Sequence, residues 1–278
     1  MRISLCNEVV RELDFAQQCA LAAGLGYDGL EVAPFTLGPQ PHRLARSRRA
    51  QLRRAASDAG IAVTGLHWLL LVPDGLSITA RDEGTRARTI DVMRRLIELC
   101  ADLGGTLLVH GSPKQRQVEP SDTKEAALAR ARDSFAAIAE DAQAAALTYC
   151  IEPLAPAETA LINTVEEAAA LVEAIACPAV RTMIDTCAAG QSEAASVPAL
   201  IERWLPTGLI AHVHLNDPNR RAPGQGDMAF APIVGALRRH HYAGICSVEP
   251  FVYEPDGPTS AARAIGYLRG ALEALPAG

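Results

Sequence analysis

Four short apolar runs in the second half of the chain end in a residue able to bind a metal or move a proton. Tyr149-Cys150-Ile151 runs into Glu152-Pro153, Thr182-Met183-Ile184 into Asp185-Thr186, and Cys246-Ser247-Val248 into Glu249-Pro250, while His212-Val213-His214 closes a fourth run. Three converging carboxylates without a counter-ion repel and raise one another's pKa. A divalent cation replaces that repulsion with coordination. Three oxygen donors and one imidazole suit Mn2+, Mg2+ or Co2+ better than a thiolate-loving site, with Zn2+ also compatible. The expectation is one divalent ion, Mn2+ first. His67 (Leu66-His67-Trp68) and His110 (Val109-His110-Gly111-Ser112) end two earlier runs. They are either contacts for a bound molecule or packed rim residues. Trp68 is either a ring for stacking or plain core, and Glu8 and Glu31 are secondary candidates for hydrogen bonding.

To converge, these residues need strands whose ends meet at one rim. Apolar runs of strand length occur at Arg2–Cys6, Gly29–Ala33, Ile61–Trp68, Thr106–His110, Thr148–Glu152, Arg181–Asp185, Leu209–Leu215 and Ile245–Glu249. Segments of helical spacing lie between them, such as Ile90, Met93, Ile97, Cys100 and Leu128, Phe135, Ile138, Ala142, with the last helix at about Ala261–Leu275. Eight strands alternating with eight helices in 278 residues predict an α/β fold, a single (β/α)8 barrel over residues 1–278, with its active site at the carboxyl ends of the strands. An open doubly wound sheet normally carries a Gly-rich phosphate turn after its first strand. Here that strand runs into Cys6-Asn7-Glu8, and no GxxxxGK[ST] occurs. The barrel is the better reading.

Composition removes several other classes. The net charge of −6 and the absence of a basic stripe argue against a nucleic-acid binder. No apolar stretch is long enough to span a membrane, and an acidic residue, Glu8, interrupts the amino terminus, so a soluble cytoplasmic protein is expected. The seven scattered cysteines form no CxxC pair and read as small reduced core residues. Lys114 and Lys124 are the only lysines, and neither falls inside a strand, which disfavours Schiff-base chemistry. The Gly224-Gln225-Gly226 turn after strand 7 leaves a phosphorylated substrate open.

Taken together, several motifs resemble the xylose isomerase-like barrel family of sugar and sugar-phosphate isomerases and epimerases. The likeness is nearest to the ketose 3-epimerases of the tagatose/psicose type. It is carried by Glu152-Pro153-Leu154 with Glu158 and Leu161-Ile162-Asn163-Thr164, by Met183-Ile184-Asp185-Thr186, by His212-Val213-His214 with Asn219-Arg220-Arg221, Pro223-Gly224 and Gly226, and by Val248-Glu249-Pro250-Phe251. The resemblance implies that Glu152, Asp185, His214 and Glu249 hold the metal, and that Glu152 and Glu249 serve as catalytic acid and base. It implies substrate contacts from Glu158 and Arg220, with His67, His110 and His212 as further substrate-binding candidates. One departure stands out: Ala188 replaces a histidine that the family usually has three residues after the strand 6 aspartate. That points to a different substrate, or to chemistry that needs no such contact.

The function expected from these residues is a metal-dependent sugar or sugar-derivative isomerase or epimerase, working by proton transfer through an enediolate. Its partner is a small sugar or sugar acid, not nucleic acid or membrane, and a homo-oligomer (dimer or tetramer) is expected from the family. The alternatives are an endonuclease IV-like phosphodiesterase, a lyase or decarboxylase of a keto sugar acid on the same site, and a non-catalytic sugar-binding protein.

Overall fold

The structure, a computed structural model, describes residues 1–276; residues 277 and 278 of the expected domain lie outside the described residues. Its strands are β1 (Arg2–Cys6), β2 (Gly29–Val32), β3 (Ala62–Leu66), β4 (Leu107–His110), β5 (Thr148–Ile151), β6 (Val180–Asp185), β7 (Ile210–Leu215) and β8 (Ile245–Val248). They pair in parallel and in chain order, and β8 closes on β1. The expected (β/α)8 barrel is therefore present, with strand bounds within about two residues of those read from the apolar runs.

The helical layer is richer than eight segments. Among the described residues it comprises α1 (Phe15–Leu25), α2 (Arg46–Asp58), α3 (Glu83–Leu103), α4 (Lys124–Ala136), α5 (Ala139–Ala144), α6 (Val165–Ile175), α7 (Thr186–Ser192), α8 (Val197–Trp204), α9 (Phe230–Arg239) and α10 (Gly257–Glu273). The run Leu128–Ala142, expected as one helix, breaks into α4 and α5 where Ile138 takes φ −112°, ψ 0°. A separate short helix, α7, follows β6 directly because the Asp185 side chain accepts the Ala188 N–H and caps it. Elsewhere the starts follow their capping residues: Asp14 forms a capping box with Gln17, and Asp82, Thr123, Thr164 and Asp256 each cap a helix with a side-chain oxygen. The longest, α3, buries Val92, Met93, Leu96, Ile97, Cys100 and Leu103, the stripe expected of a helix lying on a sheet. No helix among the described residues is long and apolar enough to cross a membrane.

Strand alternation sorts the side chains. Leu108, Ile151, Ile184, Val213 and Val248 belong to the large core between strands and helices. Their neighbours Leu107, Val109, Cys150 and Met183 form a separate small cluster on the inner face of the barrel. Two residues further along β5 and β6, the same inner face presents Glu152 and Asp185. Pairing of β6 with β7 sets Asp185 beside His214, and pairing of β7 with β8 sets His214 beside Ser247. The carboxyl end of the barrel thus gathers polar residues above an apolar floor.

Candidate active site

One imidazole sits at the centre of this rim. His214 Nδ1 is 2.8 Å from Glu249 Oε2, 3.5 Å from Glu152 Oε1 and 3.9 Å from Asp185 Oδ2. Glu152, Asp185 and Glu249 are almost fully buried, and His214 is completely so. A ligand atom from each of the four lies within 4.8 Å of the others. The structure thus brings together all four residues expected as one metal-ligating set.

The electrostatics are those of a site short of positive charge. Burial, then Glu152 and Glu249, push the Asp185 carboxyl up to about 8. Burial also raises Glu249, with Glu152 adding to the effect and His214 opposing it. Burial disfavours the imidazolium of His214, yet Glu249 and Glu31 outweigh it and hold the ring well above the usual histidine range. Although Nδ1 of His214 is close to Glu249, it is out of line for a hydrogen bond and faces the space between the carboxylates. That orientation, with three oxygen donors around one nitrogen, fits a divalent cation of the Mn2+ or Mg2+ kind.

Surrounding residues orient each donor. Asn216 Nδ2 donates to Asp185 Oδ2 at 2.8 Å and to the Glu249 carbonyl at 3.0 Å, while its Oδ1 accepts the Cys187 N–H. Trp68, held at φ 51°, donates its indole N–H to Glu249 Oε1 at 3.0 Å. A positive φ is uncommon for a bulky residue, so the surrounding packing must impose it. Arg116 is fully buried and donates Nη1–H to the Glu152 carbonyl at 2.7 Å; burial lowers its pKa to about 10, against the pull of Glu152 and Glu158. Below the rim lies Glu31, whose Oε1 is 3.1 Å from His214 Nε2 and whose Oε2 is 2.9 Å from His212 Nε2 and accepts the Ser247 hydroxyl. Burial works against its charge, but the two imidazoles prevail and hold Glu31 well below the usual carboxylate range. Such partners fix the tautomer and direction of a ligating histidine.

Above the cluster opens a cavity whose wall includes Glu152, Glu158, Asp185, Cys187, Arg220 and Glu249. Glu158 and Arg220 therefore stand where a substrate would meet them, and Ala188 also lines the wall. The other three candidate contacts do not. His67 and His212 are fully buried: His67 Nε2 is 2.8 Å from Glu8 Oε2, and His212 packs on Glu31 and His214. His110 shares the outward parity of Leu108, so its ring meets Phe135 at 4.8 Å and Tyr149 Oη at 2.8 Å under the helices. The expectation that these histidines touch substrate gives way to roles in packing and support. Glu31 is likewise occupied by histidine partners, whereas Glu8 keeps Oε1 without a hydrogen bond beside its His67 contact. Nor does the Gly224–Gly226 turn offer a free phosphate cradle. It wraps Asp217, whose carboxylate already accepts the Asn219 and Met228 N–H groups, and a Cβ on Gly226 would fall 2.2 Å from that carboxylate.

Asn216, Trp68 as a partner of Glu249, and Arg116 went unnoticed in the sequence. Asn216 had a local signal, since it continues the inner-face alternation of His212 and His214. Arg116 had none, because a lone arginine in a loop reads as solvated.

Comparison with known proteins agrees with this geometry. Residues 19–271 match the family model described as xylose isomerase-like TIM barrel. The D-psicose 3-epimerase of Agrobacterium fabrum is 29% identical over 236 residues, covering 83% of this chain and 77% of that protein. The L-ribulose 3-epimerase of Mesorhizobium japonicum is 28% identical over 207 residues, covering 73% of this chain and 66% of that one. In fold, the D-psicose 3-epimerase of Clostridium cellulolyticum H10 with D-tagatose superposes with a TM-score of 0.84 at 22% identity, covering 98% of this chain and 99% of the other. With the family match spanning most of the barrel, the chain belongs to the xylose isomerase-like TIM barrel family.

Proposed function

We propose that this protein is a metal-dependent carbohydrate epimerase of the ketose 3-epimerase type, moving a proton on and off the carbon beside a sugar carbonyl. The observation that carries this reading is the placement of two buried glutamates, Glu152 and Glu249, in one cluster with Asp185 and His214 under an open cavity. Glu152, Asp185, His214 and Glu249 would hold the ion. When bound, a divalent cation supplies positive charge that stabilises negative charge developing on substrate oxygens.

The chain's own residues do the rest. Glu152 comes from β5 and Glu249 from β8, so a sugar carbon between them can lose a proton to one carboxylate and regain one from the other. Return to the opposite face of the same carbon inverts it, which is epimerisation. Trp68 ties down Glu249 Oε1 and Asn216 ties down Asp185, so the acids enter the reaction already oriented. Glu158 and Arg220 bind hydroxyls at the cavity wall. Ala188 removes one polar contact and widens the choice of substrate at that position.

The direct test is turnover of ketoses such as D-psicose, D-tagatose and L-ribulose in D2O by the Mn2+-loaded protein. Carboxylates that exchange with solvent should deliver deuterium to the epimerised carbon. Product formed through a hydride shift would contain none, and that outcome would sink the proton-transfer reading.

Two variants probe the geometry. A Cβ added at Gly111 would lie 2.0 Å from Glu152 Oε2, forcing the carboxylate to move. Gly111→Ala is expected to leave the barrel folded and to lower kcat/KM about 10²-fold, the effect of a misplaced reacting group; circular dichroism and initial rates check both halves. Arg220→Ala should keep the bound ion and raise KM about tenfold, the loss of roughly one charge-assisted hydrogen bond. Loss of the ion in that variant, measured by elemental analysis, would mean that Arg220 supports the cluster instead.

A further inference from the structure

The mouth of the barrel is divided. Beside the inner cavity lies a second chamber, and the two share one wall made by Trp68, Arg220 and Phe251. Trp68 meets Phe251 edge to face at 6.2 Å, and the Arg220 guanidinium lies 5.0 Å over the Phe251 ring. The outer chamber adds Glu8, Arg11, Phe35, Leu71 and Tyr253 from the segments after β1, β2, β3 and β8. The chain has only two tryptophans, five tyrosines and five phenylalanines. Four of these rings, Phe35, Trp68, Phe251 and Tyr253, face this one chamber, and all four are only partly buried.

The inner chamber opens on the glutamates, and the outer one is walled by aromatic rings. A free ketose that reaches Glu152 and Glu249 fills the inner one and leaves the outer one to water. Half-exposed aromatic faces suit the C–H face of a ring, and the Arg11 and Arg220 guanidiniums supply donors for its hydroxyls. No carboxylate ligand of the inner cluster reaches across except through the Trp68 hydrogen bond to Glu249.

We propose that the two chambers form one site for a ketose bearing a second, glycosidically linked ring. The reacting sugar lies over Glu152 and Glu249, and the attached ring stacks among Phe35, Trp68, Phe251 and Tyr253. This inference rests on the epimerase reading above and names its substrate class.

The test compares kcat/KM of the Mn2+-loaded full chain on D-fructose and D-psicose with that on trehalulose, maltulose and isomaltulose, which carry a glucosyl ring on O1, O4 or O6 of fructose. At least one disaccharide is expected to exceed both free ketoses by about tenfold. Phe35→Ala and Tyr253→Ala should each remove about tenfold from that value, the worth of one aromatic contact, while changing the free-ketose value less than threefold. Free ketoses used as well as every disaccharide, or variants that lower both substrates alike, would overturn the proposal while leaving the epimerase reading intact. If neither class turns over, the epimerase reading fails and binding decides the chamber. Trp204→Phe, at the carboxyl end of α8, leaves Trp68 as the sole indole reporter. Disaccharide binding tighter than fructose binding and weakened by Phe35→Ala supports the proposal; equal binding rejects it.

Discussion

Replacing Glu152 or Glu249 by glutamine is expected to lower kcat by about 10²–10⁴-fold, the range for loss of a positioned acid or base. Glutamine keeps the size of glutamate and can still accept the Trp68 indole N–H at position 249, so the barrel and the local packing should survive. What disappears is a group that can take a proton. Since each glutamate also belongs to the cluster around His214, the rates must be compared at matched metal content, measured on the same samples. Deuterium exchange then separates the two roles. If one glutamate only takes protons and the other only returns them, one variant should still wash deuterium into recovered substrate while forming no product. Two fully active variants at full metal content would mean that other groups move the proton.

Metal binding should show in stability as strongly as in rate. The wild-type chain is expected to bind one divalent ion, and Mn2+ at a hundred times its dissociation constant adds about 2.7 kcal/mol. For a chain of this size that raises Tm by several degrees, at about 2–4 °C per kcal/mol. Asp185→Asn should lose that rise. Without metal, however, the same variant should be about as stable as wild type near neutral pH, because a neutral amide replaces a carboxyl that burial, Glu152 and Glu249 already push up to about 8. The single asparagine oxygen can keep the Ala188 N–H or the Asn216 donor, so one of the two hydrogen bonds that Asp185 accepts is given up. A metal-free variant markedly less stable than metal-free wild type would mean that Asp185 serves mainly as the cap of α7. Two or three ions per chain would favour a phosphodiesterase-like centre.

Much of this was legible in the sequence because the signals are local. An apolar run ending in a carboxylate or a histidine marks both a strand and its rim residue, and four such ends in consecutive strands imply a shared site. The partners of those residues were not legible. Glu31 meets His214 across 183 residues of chain, and Trp68 meets Glu249 across 181. Nothing near either residue announces such a contact. His110 misled for a simpler reason: it ends its strand as Glu152 does, but on the opposite parity. Counting from Val109, whose side chain points inward, would have turned His110 toward the helices.

The Glu31 cluster also bears on how the barrel assembles. Its carboxylate comes from β2, its two nearest imidazoles from β7 and its hydroxyl from β8, with His67 after β3 3.7 Å away, so the charge is fully compensated only after the ends of the chain have met. A partly built sheet that buries this carboxylate has only His67 beside it, and an incompletely compensated buried charge costs several kcal/mol. Ring closure is thereby made all-or-none, and sheets that stop short or pair out of order are selected against. An amino-terminal fragment ending before β7 should accordingly show no cooperative unfolding transition, whereas Glu31→Leu in the same fragment should partly restore one.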